Sequence, residues 1–209
     1  MLLVGCAQQP SVEPEHSSAP AAPGELPALP ATFVNTPGCP RCLAVTLTLR
    51  PDGSYLVRER VGQSEFYDFG RWRRIDAELV LVGGRDAARR YVLRGQELDS
   101  QAGTQGGDLK RAPQPEALRG PFRMIGIYDG YTFTECRTGL TWRLAETRAA
   151  EVLKQEYMER VEKPRVLRPE VVDDEGLAAL VSLDAQFEGA PESLRVLRPA
   201  TLLKVGACP

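Results

Sequence analysis

The stretch Thr36-Pro37-Gly38-Cys39-Pro40-Arg41-Cys42-Leu43-Ala44-Val45-Thr46-Leu47-Thr48-Leu49 joins a Cys-x-x-Cys pair directly to a strand-patterned run. Leu43, Val45, Leu47 and Leu49 alternate with Ala44, Thr46 and Thr48, which places one apolar row on one face of a half-buried strand. Cys39 and Cys42 then sit at the mouth of a strand. In the thioredoxin arrangement such a pair opens a helix, whose first N–H groups lower the thiolate pKa. Here Arg41 is the one neighbouring group that can do so.

Working outward, Pro51-Asp52-Gly53 is a turn signal, and Ser54 to Arg60 reads as a second strand that breaks at Val61-Gly62. Gly70 to Ile75 and Leu79 to Val82 form a hairpin around Asp76-Ala77, with Trp72 expected in the core beside Leu47, Tyr55 and Leu81. Gly83-Gly84-Arg85-Asp86 and Gly95-Gln96 turn the chain twice more, through Arg90 to Arg94 and on to Leu98. Five or six short strands at this spacing predict a small antiparallel barrel or sandwich. Periodicity is lost from Ser100 to Glu116, where Gly106-Gly107 and Pro113-Gln114-Pro115 mark a boundary.

Beyond it, strand patterns recur at Phe122 to Tyr128, Tyr131 to Cys136 and Leu140 to Ala145, joined by Asp129-Gly130 and Thr138-Gly139 turns. One helix is expected over Thr147 to Val161, capped by Thr147 and stopped by Pro164. Its buried stripe would use Val152, Leu153, Tyr157 or Glu156, Met158 and Val161. Met124 and Met158 both read as core residues. Strands at Leu177 to Phe187 and Thr201 to Val205 complete the element order of an OB-type barrel. Arg165-Val166-Leu167-Arg168-Pro169 reappears as Arg195-Val196-Leu197-Arg198-Pro199, too short a match for a structural repeat.

At 209 residues, 43% hydrophobic and 26% charged, the chain has the composition of one or two globular domains. Twenty-six basic against twenty-eight acidic residues, with no basic run, argue against nucleic acid as a partner. The single histidine, His16, lies in a Pro/Ala/Ser-rich segment, which argues against histidine acid–base catalysis and multi-histidine metal sites. Of the five cysteines, Cys39 and Cys42 pair by spacing and Cys136 and Cys208 remain as a distant pair. The fifth, Cys6, ends Leu3-Val4-Gly5-Cys6, which fits the lipobox of bacterial lipoproteins. Cys6 would then be acylated and become the mature N-terminus, and the missing apolar run implies a start further upstream. Ala7 to about Ala31 reads as a disordered tether. Cys39 and Cys42 keep three readings: a structural or reversible disulfide in an oxidising compartment, a two-thiolate Cu(I) site, or a catalytic dithiol.

These residues resemble the NlpE-type (CutF-type) copper-homeostasis lipoproteins of the Gram-negative envelope. The likeness rests on Cys6, Gly38-Cys39-Pro40-Arg41-Cys42, Asp52-Gly53-Ser54-Tyr55 and Gly70-Arg71-Trp72 in the first half. In the second half it rests on Leu118-Arg119-Gly120, on Thr132-Phe133-Thr134-Glu135-Cys136-Arg137-Thr138-Gly139, and on Cys208. Pro40-Arg41 departs from the family's commoner small and acidic residues.

The resemblance implies a mainly β protein with an N-terminal lipocalin-like small antiparallel barrel and a C-terminal OB-fold-like barrel with one helix. The expected division is lipobox and tether at 1–31, the Cys-x-x-Cys barrel at 32–111, a linker at 112–117 and the second barrel at 118–209. It also implies a non-enzymatic lipoprotein held to the outer membrane by acyl chains on Cys6 and facing the periplasm. Its expected partners are the periplasmic sensor of the Cpx two-component system and the disulfide-forming machinery. Cu(I) on Cys39 and Cys42 is the expected cofactor, and Cys136 and Cys208 are expected to be joined. Two alternatives stand beside this reading: a barrel that holds an apolar ligand, and a thiol oxidoreductase using Cys39 and Cys42.

Overall fold

The computed structural model describes residues 25–84, 88–167, 178–189 and 192–208. Cys6, the expected lipidation site, lies outside the described residues. The first half forms a closed barrel of β1 (Ala31–Val34), β2 (Ala44–Leu49), β3 (Ser54–Val61), β4 (Ser64–Ile75), β5 (Glu78–Val82), β6 (Arg89–Arg94), β7 (Glu97–Ser100) and β8 (Leu109–Arg111). Each strand is antiparallel to the next, and β8 returns to β1 with Phe33 opposite Arg111. Eight strands exceed the five or six legible in the sequence. The additions include β1, hidden behind the proline-rich segment, and β8, inside the stretch that reads as aperiodic.

The period-two pattern sets what points inward. Phe33, Leu47, Leu49, Tyr55, Leu79, Leu81, Tyr91, Leu98 and Leu109 are all at most 4% exposed and fill the interior. Trp72 is not among these core residues: it lies half-buried against them, with Nε1 donating to the Arg50 carbonyl at 3.0 Å. An indole N–H needs an acceptor, and the carbonyl just past the end of β2 supplies one. Gly70, two residues earlier, sits where β4 leaves β3 for β5. A Cβ there would run into the Val82 carbonyl and the Tyr55 ring.

The outer face of this barrel is not uniformly polar. Thr48 and Thr32 are buried, their hydroxyls 2.8 Å apart. The connecting segment lies over them, with Thr48 Oγ1 donating to the Glu116 carbonyl and Glu116 N donating to Thr32 Oγ1. Leu56 and Phe69 also point outward, yet belong to the core of the second half.

That second half is a sheet of β9 (Phe122–Tyr128), β10 (Thr132–Glu135), β11 (Thr141–Arg143), β12 (Ala179–Glu188), β13 (Ser193–Val196) and β14 (Thr201–Val205). β9 pairs with both β10 and β12, and a parallel bridge between Leu144 and Leu194 brings β11's end against β13. This is the strand order of an OB-type barrel, with the helix inserted between its third and fourth strands. Phe122, Met124, Phe133, Val181, Leu183, Ala185 and Leu194 are at most 2% exposed.

The helix begins as the sequence expects. Thr147 is extended at its N-cap and its hydroxyl accepts from Ala150 N at 3.2 Å, opening α1 (Arg148–Tyr157). Its buried stripe is Ala150, Leu153, Tyr157 and Val161; Val152 and Met158, expected inside, are 43% and 46% exposed. Pro164 does not stop it. A π-helical turn over Met158–Glu162, in which Lys163 N reaches back five residues to the Met158 carbonyl, leads into α2 (Lys163–Leu167). A widened turn just upstream accommodates the ring and the missing N–H of Pro164.

Candidate functional site

Cys39 and Cys42 occupy the loop between β1 and β2, and every residue from Thr36 to Cys42 is exposed. The two are joined as a disulfide, and Cys42 N donates to the Cys39 carbonyl at 3.1 Å across the turn. No helix follows them, since β2 begins at Ala44. The dipole and N–H groups that depress a thioredoxin-type thiolate pKa are therefore absent from this loop.

Asn35 anchors the loop's base. Its Nδ2 donates to the Leu43 and Gly106 carbonyls, each at 2.8 Å, and its Oδ1 accepts from Val45 N at 2.7 Å. Its own N–H donates to the Val45 carbonyl at 3.2 Å. One side chain thus clamps the start of β2 and the Gly106 loop to the end of β1, and the Cys-x-x-Cys turn projects from a fixed platform. Gly106, at φ +94°, allows this approach; a Cβ there would meet Val45 Cγ2 at 2.5 Å.

As a metal site, the loop offers two sulfurs after reduction and nothing more. Among the described residues no group of three or more His, Cys, Asp or Glu side chains could hold an ion. Two thiolates alone suit Cu(I), which is soft and accepts low coordination, and fall short of the four ligands of structural zinc. The loop's donor set therefore fits copper after reduction.

The second pair, Cys136 and Cys208, is also joined. In β10 Phe133 and Glu135 are fully buried, so Cys136, next in the alternation, faces outward; its N–H extends the ladder to the Ile125 carbonyl at 2.9 Å. β14 continues into Gly206, whose N–H donates to the Ala178 carbonyl, and the bond at Cys208 then ties the chain end to β10.

Sequence reasoning missed the polar contacts beside Cys136. Arg137 Nε donates to Glu135, a carboxylate with no exposure, at 3.0 Å, and Arg137 Nη1 reaches Asp68 of the first barrel at 3.3 Å. Burial works against the Arg137 charge, but the hydrogen bond and charge of Glu135, with those of Asp68, outweigh it and hold its pKa above the ordinary value. Glu135 also accepts from Thr138 N and Oγ1, each at 2.8 Å. Arg71 Nε donates to the Thr138 carbonyl at 2.7 Å. Aromatic packing completes the junction: Tyr67 and Phe69 meet Phe122 edge-on at 5.8 and 5.7 Å. The only signal in the sequence was the clustering of Glu135, Arg137 and Thr138 in one turn, which says nothing of Asp68.

No family model and no curated protein matches the chain. Among solved structures it is similar to the Cpx pathway activator NlpE from Escherichia coli, at 20% identity over 86% of this chain and 98% of that one. The TM-score is 0.34, too low for the likeness to decide function.

Proposed function

We propose that the protein is a non-enzymatic, lipid-anchored envelope sensor that responds to copper and thiol oxidation and passes the response on by protein contact. The observation that carries this reading is the Cys39–Cys42 disulfide, exposed on a loop that Asn35 fixes at its base. A partner dithiol can reach it without unfolding the barrel. Reduction transfers two electrons and leaves two thiols, whose protons are released when Cu(I) binds as a bis-thiolate. Copper capture and disulfide formation then exclude each other, and the loop reports both.

Two disulfides in one chain suit an oxidising compartment, in keeping with an envelope location facing the periplasm and an acylated Cys6 on the outer membrane. The Cys136–Cys208 bond offers a second input. When it fails to form, the chain end is released from β10 and the second barrel loosens, exposing surface to the periplasmic sensor of a two-component system. The packed interior of the first barrel counts against an apolar-ligand carrier, and the helix-free Cys-x-x-Cys counts against a thiol oxidoreductase.

The test is a two-component reporter in cells carrying the chain with its complete signal sequence, challenged with copper. Wild type should raise the reporter, while Cys39→Ser and Cys42→Ser should lose the copper response and stay membrane-bound. Equal copper responses of wild type and both variants would overturn the reading.

A further inference from the structure

The second barrel carries a groove of about 510 Å³ between the start of α1 and the chain leaving β13. Arg148 and Val152 of α1 form one wall, and they share a helix face because they lie four residues apart. The other wall is the second copy of the twin pentapeptide, Arg195-Val196-Leu197-Arg198-Pro199. Val152, which the helical periodicity places inside, is instead 43% exposed here, and Leu197 is 41% exposed, while Val196 is turned into the core.

The charge along this groove has one sign. Three of its lining residues are arginines and none is acidic, in a chain whose net charge is -2. The nearest carboxylates satisfy little of that charge and do not line the groove. Asp184 lies 2.9 Å from Arg198 Nε, and Glu188 lies 3.7 Å from Arg195 Nη1, beyond hydrogen-bonding distance. Arg148 is exposed and makes no ion pair or side-chain hydrogen bond among the described residues. The Arg195 and Arg198 side chains are 59% and 73% exposed, so their free N–H donors are open to an incoming acceptor. Glu151, in the first turn of α1, lines a separate hollow with Lys154.

We propose that this groove docks an acidic segment of a partner protein, in which carboxylates flank an apolar side chain. The apolar side chain lies against Val152 and Leu197, and the carboxylates accept from Arg148, Arg195 and Arg198. Planar guanidinium forks match carboxylate geometry, and exposed apolar groups between them give the contact a dry centre within a polar rim. Cations at three places along the walls call for carboxylates spaced along a chain rather than one small anion. A recess between a helix and a strand end admits a side chain, whereas a flat anionic bilayer would meet only the arginine tips. The groove uses none of the cysteines and would stand if the sensor reading failed.

The experiment selects a random dodecapeptide library on the full oxidised chain. Peptides with several Asp or Glu around a Leu, Val or Phe should be enriched. The most enriched one, labelled with fluorescein, should bind with a Kd below about 100 μM. On the unsubstituted chain it should slow hydrogen exchange over Arg148 to Val152 and Arg195 to Leu197. Arg148→Gln combined with Arg195→Gln should weaken it about tenfold or more, and Val152→Glu, which sets a carboxylate in the groove, should abolish saturation. These substitutions change exposed positions, and near-ultraviolet circular dichroism should match wild type. No enrichment, enrichment of neutral or basic peptides, protection elsewhere on the chain, or unchanged binding by both variants would each overturn the proposal. So would arginine-dependent sedimentation with phosphatidylglycerol vesicles in the absence of peptide binding.

Discussion

Arg137 of the second barrel reaches Asp68 of the first at 3.3 Å while holding the fully buried carboxylate of Glu135 at 3.0 Å. One guanidinium therefore compensates a buried charge inside its own domain and fastens that domain to its neighbour. Arg137→Met should leave Glu135 without its cation, a loss of roughly 3–5 kcal/mol for a fully buried pair, with the lower end expected because Arg137 retains 31% exposure. Denaturant melts of Arg137→Met, Asp68→Asn and the double variant check this. Non-additive losses are expected, since both partners share one contact, and strict additivity would show that the 3.3 Å approach carries no coupling.

Asn35→Ala should remove three part-buried side-chain hydrogen bonds, at a cost of about 1–3 kcal/mol. The loss should centre on the loop's base. Hydrogen exchange should quicken at the Val45 amide and in the Gly106 loop, and Cys39–Cys42 should react faster with a small dithiol. Unchanged exchange at Val45 would contradict the clamp.

Cys208→Ser should destabilise the second barrel far more than Cys39→Ser destabilises the first. The Cys136–Cys208 bond joins residues 72 apart in sequence, worth about 4.4 kcal/mol by loop entropy, whereas the Cys39–Cys42 loop is worth only about 2 kcal/mol. Non-reducing melts with disulfide mapping by peptide mass give the comparison. Equal melting of wild type and Cys208→Ser would show that the long-range bond is not structural.

The Asp129-Gly130 turn carries an acid-sensitive contribution. Burial opposes ionisation of Asp129, but the hydrogen bonds from Thr132 N and Oγ1 and from Tyr131 N win and hold its pKa below the ordinary carboxylate value. A depressed folded-state pKa stabilises above the unfolded value and loses that contribution as pH falls through the folded one. Stability of the β9–β10 hairpin should therefore decline below about pH 4, and Asp129→Asn should flatten that part of the pH profile. An identical slope in the variant would contradict the assignment.

The twin segments show where sequence stops deciding structure. Val166-Leu167 lie in α2, 67% and 70% exposed, whereas Val196 of the second copy is a strand residue 3% exposed. The same residues take opposite structures because β12 offers Arg195 and Val196 a partner strand, and the first copy continues a helix already begun. Strands with long alternation, such as Val45 to Leu49 and Phe122 to Tyr128, were legible for the same reason that β1 and β8 were not. A pattern needs several periods to stand out, and β8 has 3 residues. Cys39 and Cys42 announced themselves by spacing. Asn35 and Asp68 did not, because what matters about them is a partner far along the chain: Gly106 for Asn35, Arg137 for Asp68.

The most direct test of the sensor reading is a Cu(I) competition titration against a chelator on the oxidised chain, the reduced chain, and reduced Cys39→Ser. Oxidised wild type should take up no Cu(I), and reduced wild type should take up one Cu(I) per chain more than reduced Cys39→Ser, because reduction frees the Cys136 and Cys208 thiols equally in both and the substitution removes one thiolate of the Cys39–Cys42 loop alone. Uptake by the oxidised chain, or equal uptake by reduced wild type and reduced Cys39→Ser, would contradict it.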